Sequence, residues 1–168
     1  FNRATQAVRQ VGSTMKPIGP YALGIDRGIL TYSKIIWDSP MQVMENGRER
    51  DWPKNYSPGY RETGMPLVSA IAESTNTVAA QAGEFVGREE MFEFLTETLK
   101  ISSLQAPFDV DLAPLALGAL THGISAYELA AAYMIFGGDT TYGVYTDPHC
   151  YFRVEDSKGN IVMEPEFY

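Results

Sequence analysis

Gly12-Ser13-Thr14-Met15-Lys16-Pro17 opens the first long apolar segment of the chain, which continues to Ile25 and predicts a helix. Ser13 suits the start of this helix, because a small hydroxyl residue can satisfy free backbone N–H groups. Pro17 suits the first turn, where its missing N–H has little effect. Pro20 lies deeper, so the sequence predicts that the helix is loosened or kinked there.

The same stretch carries a candidate nucleophile and its base. A Ser and a Lys three positions apart project from one helix face, so the Ser13 hydroxyl and the Lys16 amine can reach hydrogen-bond distance. A serine hydroxyl is a poor nucleophile until a base takes its proton. Lys16 can be that base only if its pKa is lowered by burial or by a nearby cation. Backbone N–H groups at the helix start would also face a developing oxyanion.

A second polar element, Ser74-Thr75-Asn76, lies at the junction of two predicted helices. Ser, Thr and Asn compete for backbone hydrogen bonds, so a turn that presents Ser74 and Asn76 to a cleft is favoured over one continuous helix. Ser74 could then relay a proton between Lys16 and a leaving amine, and Asn76 could hold a substrate amide. The alternative is a purely structural helix start capped by these residues.

The remaining pattern predicts an α+β chain, helix-rich over residues 1–144, with a small β-hairpin region over 145–168. Helices are predicted from Pro66 through Ala72, from Val78 to Phe85, from Arg88 to Leu99, and from Ala126 to Phe136. The last begins with a Ser125–Glu128 capping box, is apolar nearly all round, and is therefore predicted to be buried. Residues 31–64 predict an irregular loop with at most a short strand at 35–37. Asp156-Ser157-Lys158-Gly159 predicts a hairpin turn.

Composition restricts the class of function. The chain has 168 residues, 45% hydrophobic and 20% charged, which is typical of a globular protein, and its net charge of −8 argues against binding nucleic acid. Cys150 is the only cysteine, and His122 and His149 lack any metal-ligand spacing, so the sequence indicates no disulfide, metal or cofactor. Asp109-Val110-Asp111 is interpreted as a turn before a helix. The start at Phe1 without a leader favours a piece of a longer protein.

Blocks of sequence around both motifs support a family resemblance. The blocks are 1–7, 12–17, 72–81 and 123–130. In order and spacing they closely resemble the transpeptidase domain of class A penicillin-binding proteins. The resemblance implies the penicillin-binding protein/serine β-lactamase-like fold and a D,D-transpeptidase that crosslinks peptidoglycan. It makes Ser13 the acylated nucleophile, Lys16 its base, Ser74 the proton relay and Asn76 a ligand of the substrate amide.

The resemblance also implies partners and a location. The substrate would be a stem peptide ending in D-Ala-D-Ala, and β-lactams would acylate the same serine. The parent protein would act at the extracytoplasmic face of the bacterial cell membrane, contacting the membrane only through its own anchor. Two alternatives on the same fold are a non-catalytic β-lactam sensor or scaffold module and a serine β-lactamase. The β-lactamase would need a carboxylate to activate a deacylating water, and the sequence assigns none.

Two departures from the family pattern affect these expectations. Val11 stands where the family usually has proline, a change that should not stop the chemistry. The third family motif, Lys-Thr-Gly, does not occur, and Lys158-Gly159-Asn160 is a false match in a predicted turn. We therefore expect the helical side of the cleft without most of the central antiparallel sheet. The remainder of the domain could be another chain, and the isolated 168-residue chain should be acylated poorly.

Overall fold

The computed structural model describes residues 1–57, 59–137, 148 and 151–164. The α-helices are α1 (Arg3–Gln6), α2 (Ala22–Asp26), α3 (Leu67–Glu73), α4 (Asn76–Val86), α5 (Arg88–Glu93), α6 (Leu112–Leu117) and α7 (Ala126–Tyr133). The strands are β1 (Val8–Arg9), β2 (Ile35–Trp37), β3 (Met41–Glu45), β4 (Arg48–Trp52), β5 (Gly64–Pro66), β6 (Ile124–Ser125), β7 (Val154–Glu155) and β8 (Ile161–Met163). Helices and small sheets alternate along the chain, so the predicted α+β class is confirmed.

Helix α4 forms the centre of the hydrophobic core. It packs against α2, α3, α5 and α6 and against the π-helical segment Pro17–Tyr21. Its buried residues are small, which lets the neighbouring helices approach closely, and they are Thr77, Val78, Ala79, Ala80, Ala82, Gly83 and Val86. Larger fully buried side chains surround them, including Met15, Ile18, Leu67, Met91, Leu95, Leu99 and Leu115. The core therefore adjoins both polar motifs.

The predicted helix after Ser13 is present but irregular. It begins as a 3₁₀ turn, Gly12–Thr14, passes through the π-helical segment Pro17–Tyr21 and ends as α2. Within the π segment the N–H of Ala22 donates to the carbonyl of Pro17, five residues back. Pro20 lies inside this segment, where its missing N–H prevents a regular α-helical ladder. The predicted loosening at Pro20 is confirmed.

Residues 31–64 contain more regular structure than the sequence predicts. Strand β2 lies where the short strand is expected, and it pairs with β5. The prediction of an otherwise irregular loop is wrong, because β3 and β4 form a five-residue antiparallel hairpin. Its turn is Asn46-Gly47, with both residues at positive φ (52° and 73°), the favoured geometry for a two-residue hairpin. Because most of the hairpin's side chains are exposed, it lacks the apolar alternation that usually predicts strands.

The last predicted helix and the hairpin both lie where the sequence predicts them, but the helix is less buried than predicted. The Ser125–Glu128 capping box is present, and a 3₁₀ turn, Met134–Phe136, extends α7. The predicted full burial is wrong, since only Ala131 and Ala132 are buried and Phe136 is 56% exposed. Of its partly buried residues, Leu129, Tyr133 and Ile135 pack against the core. The hairpin is confirmed, since β7 and β8 pair in antiparallel fashion on either side of the predicted turn.

Other features of the chain have structural roles. Asp109 is buried and accepts hydrogen bonds from Gln105 and Thr121, and Asp111 accepts the N–H of Leu112, the first residue of α6. The interpretation of these acids as a turn before a helix is therefore confirmed. His149 and Cys150 lie outside the described residues. Over the described ranges, no helix has both the length and the apolar character that a bilayer span requires.

Candidate active site

The buried amine of Lys16 connects the two polar motifs. Lys16 is 2% exposed, and its Nζ donates to the Ser74 carbonyl oxygen at 2.5 Å, to Ser74 Oγ at 2.9 Å and to Asn76 Oδ1 at 2.5 Å. An ammonium group has three donors, so these contacts use all of them. The structure thus brings three of the four predicted site residues into one hydrogen-bonded cluster.

The chemistry of the three acceptors allows the amine to exist in either protonation state. The Ser74 carbonyl and Asn76 Oδ1 can only accept, so a neutral amine can keep both of its N–H groups on them. Ser74 Oγ can accept from an ammonium or donate its own proton to a neutral amine. Burial favours the neutral form and lowers the pKa of Lys16 to about 8.

Ser74 reaches Lys16 because of an unusual backbone conformation. Helix α3 ends at Glu73, and Ser74 follows in the left-handed region at φ 56° and ψ 43°. Its N–H closes the helix on Ile71, and the N–H of Thr75 bonds to Ala70. Helix α4 then starts at Asn76. Left-handed serine is strained relative to glycine, and such strain is common at functional sites. The predicted turn between two helices is confirmed.

Ser13 precedes Lys16 by three residues, but no hydrogen bond among the described residues joins its hydroxyl to this cluster. It is exposed in the middle of the Gly12–Thr14 turn, so the expectation that it caps the helix is wrong; Val11 occupies the cap position. Among the contacts of the described residues, the Ser13 hydroxyl is not a partner of Lys16, whose three donors all point to Ser74 and Asn76. The direct Ser13–Lys16 bond expected from helical spacing is therefore not formed in this structure.

The backbone around Ser13 is held from several directions. Before it, Gln10 makes paired hydrogen bonds with the N–H and carbonyl of Leu120. After it, the Thr14 carbonyl accepts a 2.7 Å hydrogen bond from the hydroxyl of Tyr133 on α7. Beside it, the Gly12 N–H approaches the carbonyl of Gly118 at 3.4 Å. These contacts fix the turn that presents Ser13, and none of them is visible in the local sequence pattern.

Gly118 provides a test of this packing. It has a positive φ of 72°, and a Cβ at this position would collide with the backbone oxygen and nitrogen of Gly12. We expect Gly118→Ala to lower the free energy of unfolding by about 2–4 kcal/mol, combining left-handed strain with a steric clash. Gly28→Ala is the matched control, because Gly28 also has positive φ but open space around its Cβ, so it should lose only about 1 kcal/mol. Equal losses in urea denaturation would contradict the account.

The structure adds Asp38 and Asn55, which the sequence analysis does not identify. Both lie within the predicted irregular loop, and Asn55 Oδ1 accepts the backbone N–H groups of Asn76 and Thr77 at the start of α4. Asp38 is 3% exposed and accepts hydrogen bonds from Asn55 and Thr77. By contrast, His122 is exposed and lies outside these bonds. A buried aspartate in a loop has no sequence signature that distinguishes it from a solvated one.

Comparison with known proteins identifies the family. The family model described as the penicillin binding protein transpeptidase domain matches residues 1–166. Penicillin-binding protein 1A of Vibrio cholerae is 34% identical over 99% of this chain, and penicillin-binding protein 4 of Bacillus subtilis is 35% identical over 98%. The chain spans 19% and 24% of the length of these two relatives.

Solved structures agree with this assignment. The crystal structure of penicillin-binding protein 1A from Haemophilus influenzae superposes with a TM-score of 0.75 at 31% identity, over 99% of this chain and 23% of that one. Penicillin-binding protein A of M. tuberculosis, solved as an imipenem acyl-enzyme complex, shares the fold with a TM-score of 0.65 at 18% identity, over 100% of this chain and 40% of that one. Together with the motif blocks, these matches show that the chain belongs to the penicillin-binding protein transpeptidase domain family.

Proposed function

We propose that this chain forms the helical side of the catalytic cleft of a D,D-transpeptidase that crosslinks peptidoglycan. The observation that carries the proposal is the buried Lys16 amine, bonded to Ser74 and Asn76 one helical turn from the exposed Ser13 hydroxyl. Ser13 is assigned as the nucleophile, Lys16 as the general base and Ser74 as the proton relay. Asn76 is assigned as a ligand of the substrate amide.

In the first half-reaction, Ser13 Oγ attacks the carbonyl carbon between the two terminal D-alanines of a stem peptide. Because the Ser13 hydroxyl is not bonded to Lys16 in this structure, it must first turn towards Nζ and replace Ser74 Oγ at the lone pair of the amine. The neutral Lys16 amine then accepts the hydroxyl proton while its N–H groups stay on the two carbonyl acceptors. The proton then passes through Ser74 Oγ, 2.9 Å from Nζ, to the nitrogen of the terminal residue. The C–N bond breaks, D-alanine leaves, and an ester on Ser13 remains.

In the second half-reaction, an amine from a neighbouring peptidoglycan strand attacks this ester. The amine gives its proton to the Ser74–Lys16 pair, and the pair returns a proton to Ser13 as the C–O bond breaks. A β-lactam would acylate Ser13 by the same first step, with its ring nitrogen as the leaving group. We propose that the parent protein acts at the extracytoplasmic face of the bacterial membrane, where its substrate is found.

The experiment uses the parent protein at its full natural length. It is incubated with a stem pentapeptide ending in D-Ala-D-Ala and an acceptor peptide that carries a free amine. The proposal expects release of free D-alanine together with a crosslinked dimer, and neither product from the Ser13→Ala variant. A stable β-lactam adduct without peptide turnover would instead favour a sensor module. Rapid β-lactam hydrolysis without crosslinking would favour a serine β-lactamase.

The lowered pKa of Lys16 predicts how acylation depends on pH. Only the neutral amine can accept the Ser13 proton, and with a pKa of about 8 roughly a tenth of the amine is neutral at pH 7. The rate of β-lactam acylation should therefore rise about tenfold per pH unit below this pKa and level off above it. Stopped-flow measurement from about pH 6 to about pH 10 tests this prediction. A rate independent of pH over that range would contradict Lys16 as the base.

A further inference from the structure

Helix α4, which carries Asn76, is capped from outside its own sequence. Its N-cap residue, Thr75, makes no side-chain capping hydrogen bond. Instead, Asn55 Oδ1 accepts the N–H of Asn76 at 3.0 Å and that of Thr77 at 3.2 Å. Free N–H groups at a helix start require acceptors, and here a single loop residue 21 positions upstream of Asn76 supplies them. The position of the second motif therefore depends on the orientation of the Asn55 amide.

Asp38 fixes that orientation. The carboxylate accepts Asn55 Nδ2 at 2.7 Å, and because a carboxylate cannot donate, Asn55 must turn Oδ1 towards the helix. The same carboxylate accepts Thr77 Oγ1 at 2.6 Å and the backbone N–H of Arg61 at 3.1 Å. Burial by itself would raise the pKa of Asp38, but these hydrogen bonds and the Arg61 charge outweigh it and hold the pKa below its usual value. Asp38 is thus a buried carboxylate whose hydrogen bonds hold Asn55, Thr77 and Arg61 in fixed orientations.

A chain of hydrogen bonds leads from this carboxylate to the base. The loop that carries Asn55 also presents the Lys54 carbonyl, which accepts Asn76 Nδ2 at 2.7 Å. This contact turns Asn76 Oδ1 towards Lys16 Nζ. Rotating the Asn76 amide by half a turn would place a donor against Lys16 and an acceptor against a carbonyl. The loop therefore sets both the place of Asn76 and the atom that it offers to Lys16.

We propose that Asp38 is a positioning residue for acyl transfer, which acts through Asn55 to hold Asn76 and Lys16 in reactive geometry. This inference rests on the proposed function, and it adds residues that touch neither substrate nor nucleophile. Hydrogen bonds link the Asp38 carboxylate to the Asn55 amide, and the amide to the start of α4. A donor placed where any of these bonds needs an acceptor should therefore displace Asn76. A displacement of about 1 Å at a reacting group can slow catalysis about 100-fold.

The geometry allows a donor–acceptor swap as the test. In Asn55→Asp the new carboxylate faces Asp38, and the two like charges repel. In Asp38→Asn the new amide must place its NH₂ group against either the Asn55 NH₂ or the Arg61 N–H. In the double variant every bond can form again, because the new amide would donate its NH₂ to the new carboxylate and accept the Arg61 N–H on its carbonyl. The Thr77 hydroxyl, 3.5 Å from the Asn55 oxygen in the wild-type protein, would then donate to the carboxylate that replaces that amide.

The readout is the limiting rate of β-lactam acylation in the full-length protein on its alkaline plateau, where Lys16 is neutral, with thermal unfolding measured in parallel. Each single variant should acylate at least about tenfold more slowly than wild type, and the double variant should recover to within about threefold. Ser125→Ala removes the side-chain cap at the start of α7, at the opposite end of that helix from Tyr133, whose hydroxyl bonds to Thr14. It should lower thermal stability while keeping the rate within about twofold.

Three outcomes would overturn the inference. Single variants as fast as wild type would show that the loop does not position the base. A folded double variant that regains thermal stability but not rate would assign Asp38 a structural role alone. Equal slowing by Ser125→Ala would show that any lost helix cap has this effect. The wild-type protein is measured before any variant. If it is not acylated at all, the proposed function itself is rejected.

Discussion

Replacing Lys16 with methionine is expected to slow β-lactam acylation about 1,000-fold or more, while the protein still folds. The loss follows from removing the proposed base, since general base catalysis contributes up to about 10,000-fold. Methionine fills a similar volume in a position that is only 2% exposed, and it removes an amine whose charged form is disfavoured by burial. It leaves the Ser74 carbonyl and Asn76 Oδ1 without their donor, which costs about 1–3 kcal/mol of stability.

The matched control for this experiment is Lys54→Met. Lys54 is exposed and contacts Asn76 through its backbone carbonyl alone, so the same side-chain change there should leave the rate within about twofold. Acylation is followed by stopped-flow fluorescence, and folding by thermal unfolding. A Lys16→Met variant that acylates within about tenfold of wild type would show that the base is another group.

Replacing Ser74 with glycine is expected to separate activity from stability. Loss of the hydroxyl removes the proposed relay, so turnover of the stem peptide should fall about 100-fold. Glycine adopts the left-handed conformation of residue 74 without strain, which offsets the loss of the hydrogen bond between Lys16 Nζ and Ser74 Oγ. The free energy of unfolding should therefore stay within about 1 kcal/mol of the wild-type value. Lys16 keeps the carbonyl of residue 74 and Asn76 Oδ1 as acceptors, because neither belongs to the lost side chain.

Ser74→Ala is the control that isolates the two effects. Alanine also lacks the hydroxyl, so it should match the glycine variant in turnover. It retains a Cβ at φ 56°, so it should be about 1 kcal/mol less stable than the glycine variant in urea denaturation. Full turnover by either variant would reject Ser74 as the relay, and equal stability of the two would reject the strain.

The parts of the fold that the sequence predicts correctly are those with local signals. The Ser125–Glu128 capping box, the loosening at Pro20 and the turn at Ser74 each arise from residues within a few positions of one another. The β3–β4 hairpin also had a local signal, the Asn46-Gly47 turn, but its exposed strands lack the apolar alternation that a strand prediction relies on. Apolar content alone overestimated the burial of α7, since it cannot indicate which faces find partners.

The candidate site also has a part that the sequence predicts and a part that only the fold reveals. Short spacings indicate Ser13, Lys16, Ser74 and Asn76 as candidates, but the contact that joins the two motifs spans 58 residues and exists only in the fold. The helical spacing of Ser13 and Lys16 suggests a direct bond, yet the Lys16 donors are taken by the second motif. Asp38 reaches its partners on Asn55 and Thr77 across 17 and 39 residues, and nothing in its local sequence marks it as buried.

The most direct test of the central claim is to locate the acyl group. The full-length protein is incubated with a penicillin, its intact mass is measured, and the adduct is mapped by proteolysis and tandem mass spectrometry. We expect one added penicillin on the peptide that contains Ser13, and no adduct in the Ser13→Ala variant. No mass increase in the wild-type protein, or an adduct on any other residue, would contradict the assignment of Ser13 as the nucleophile.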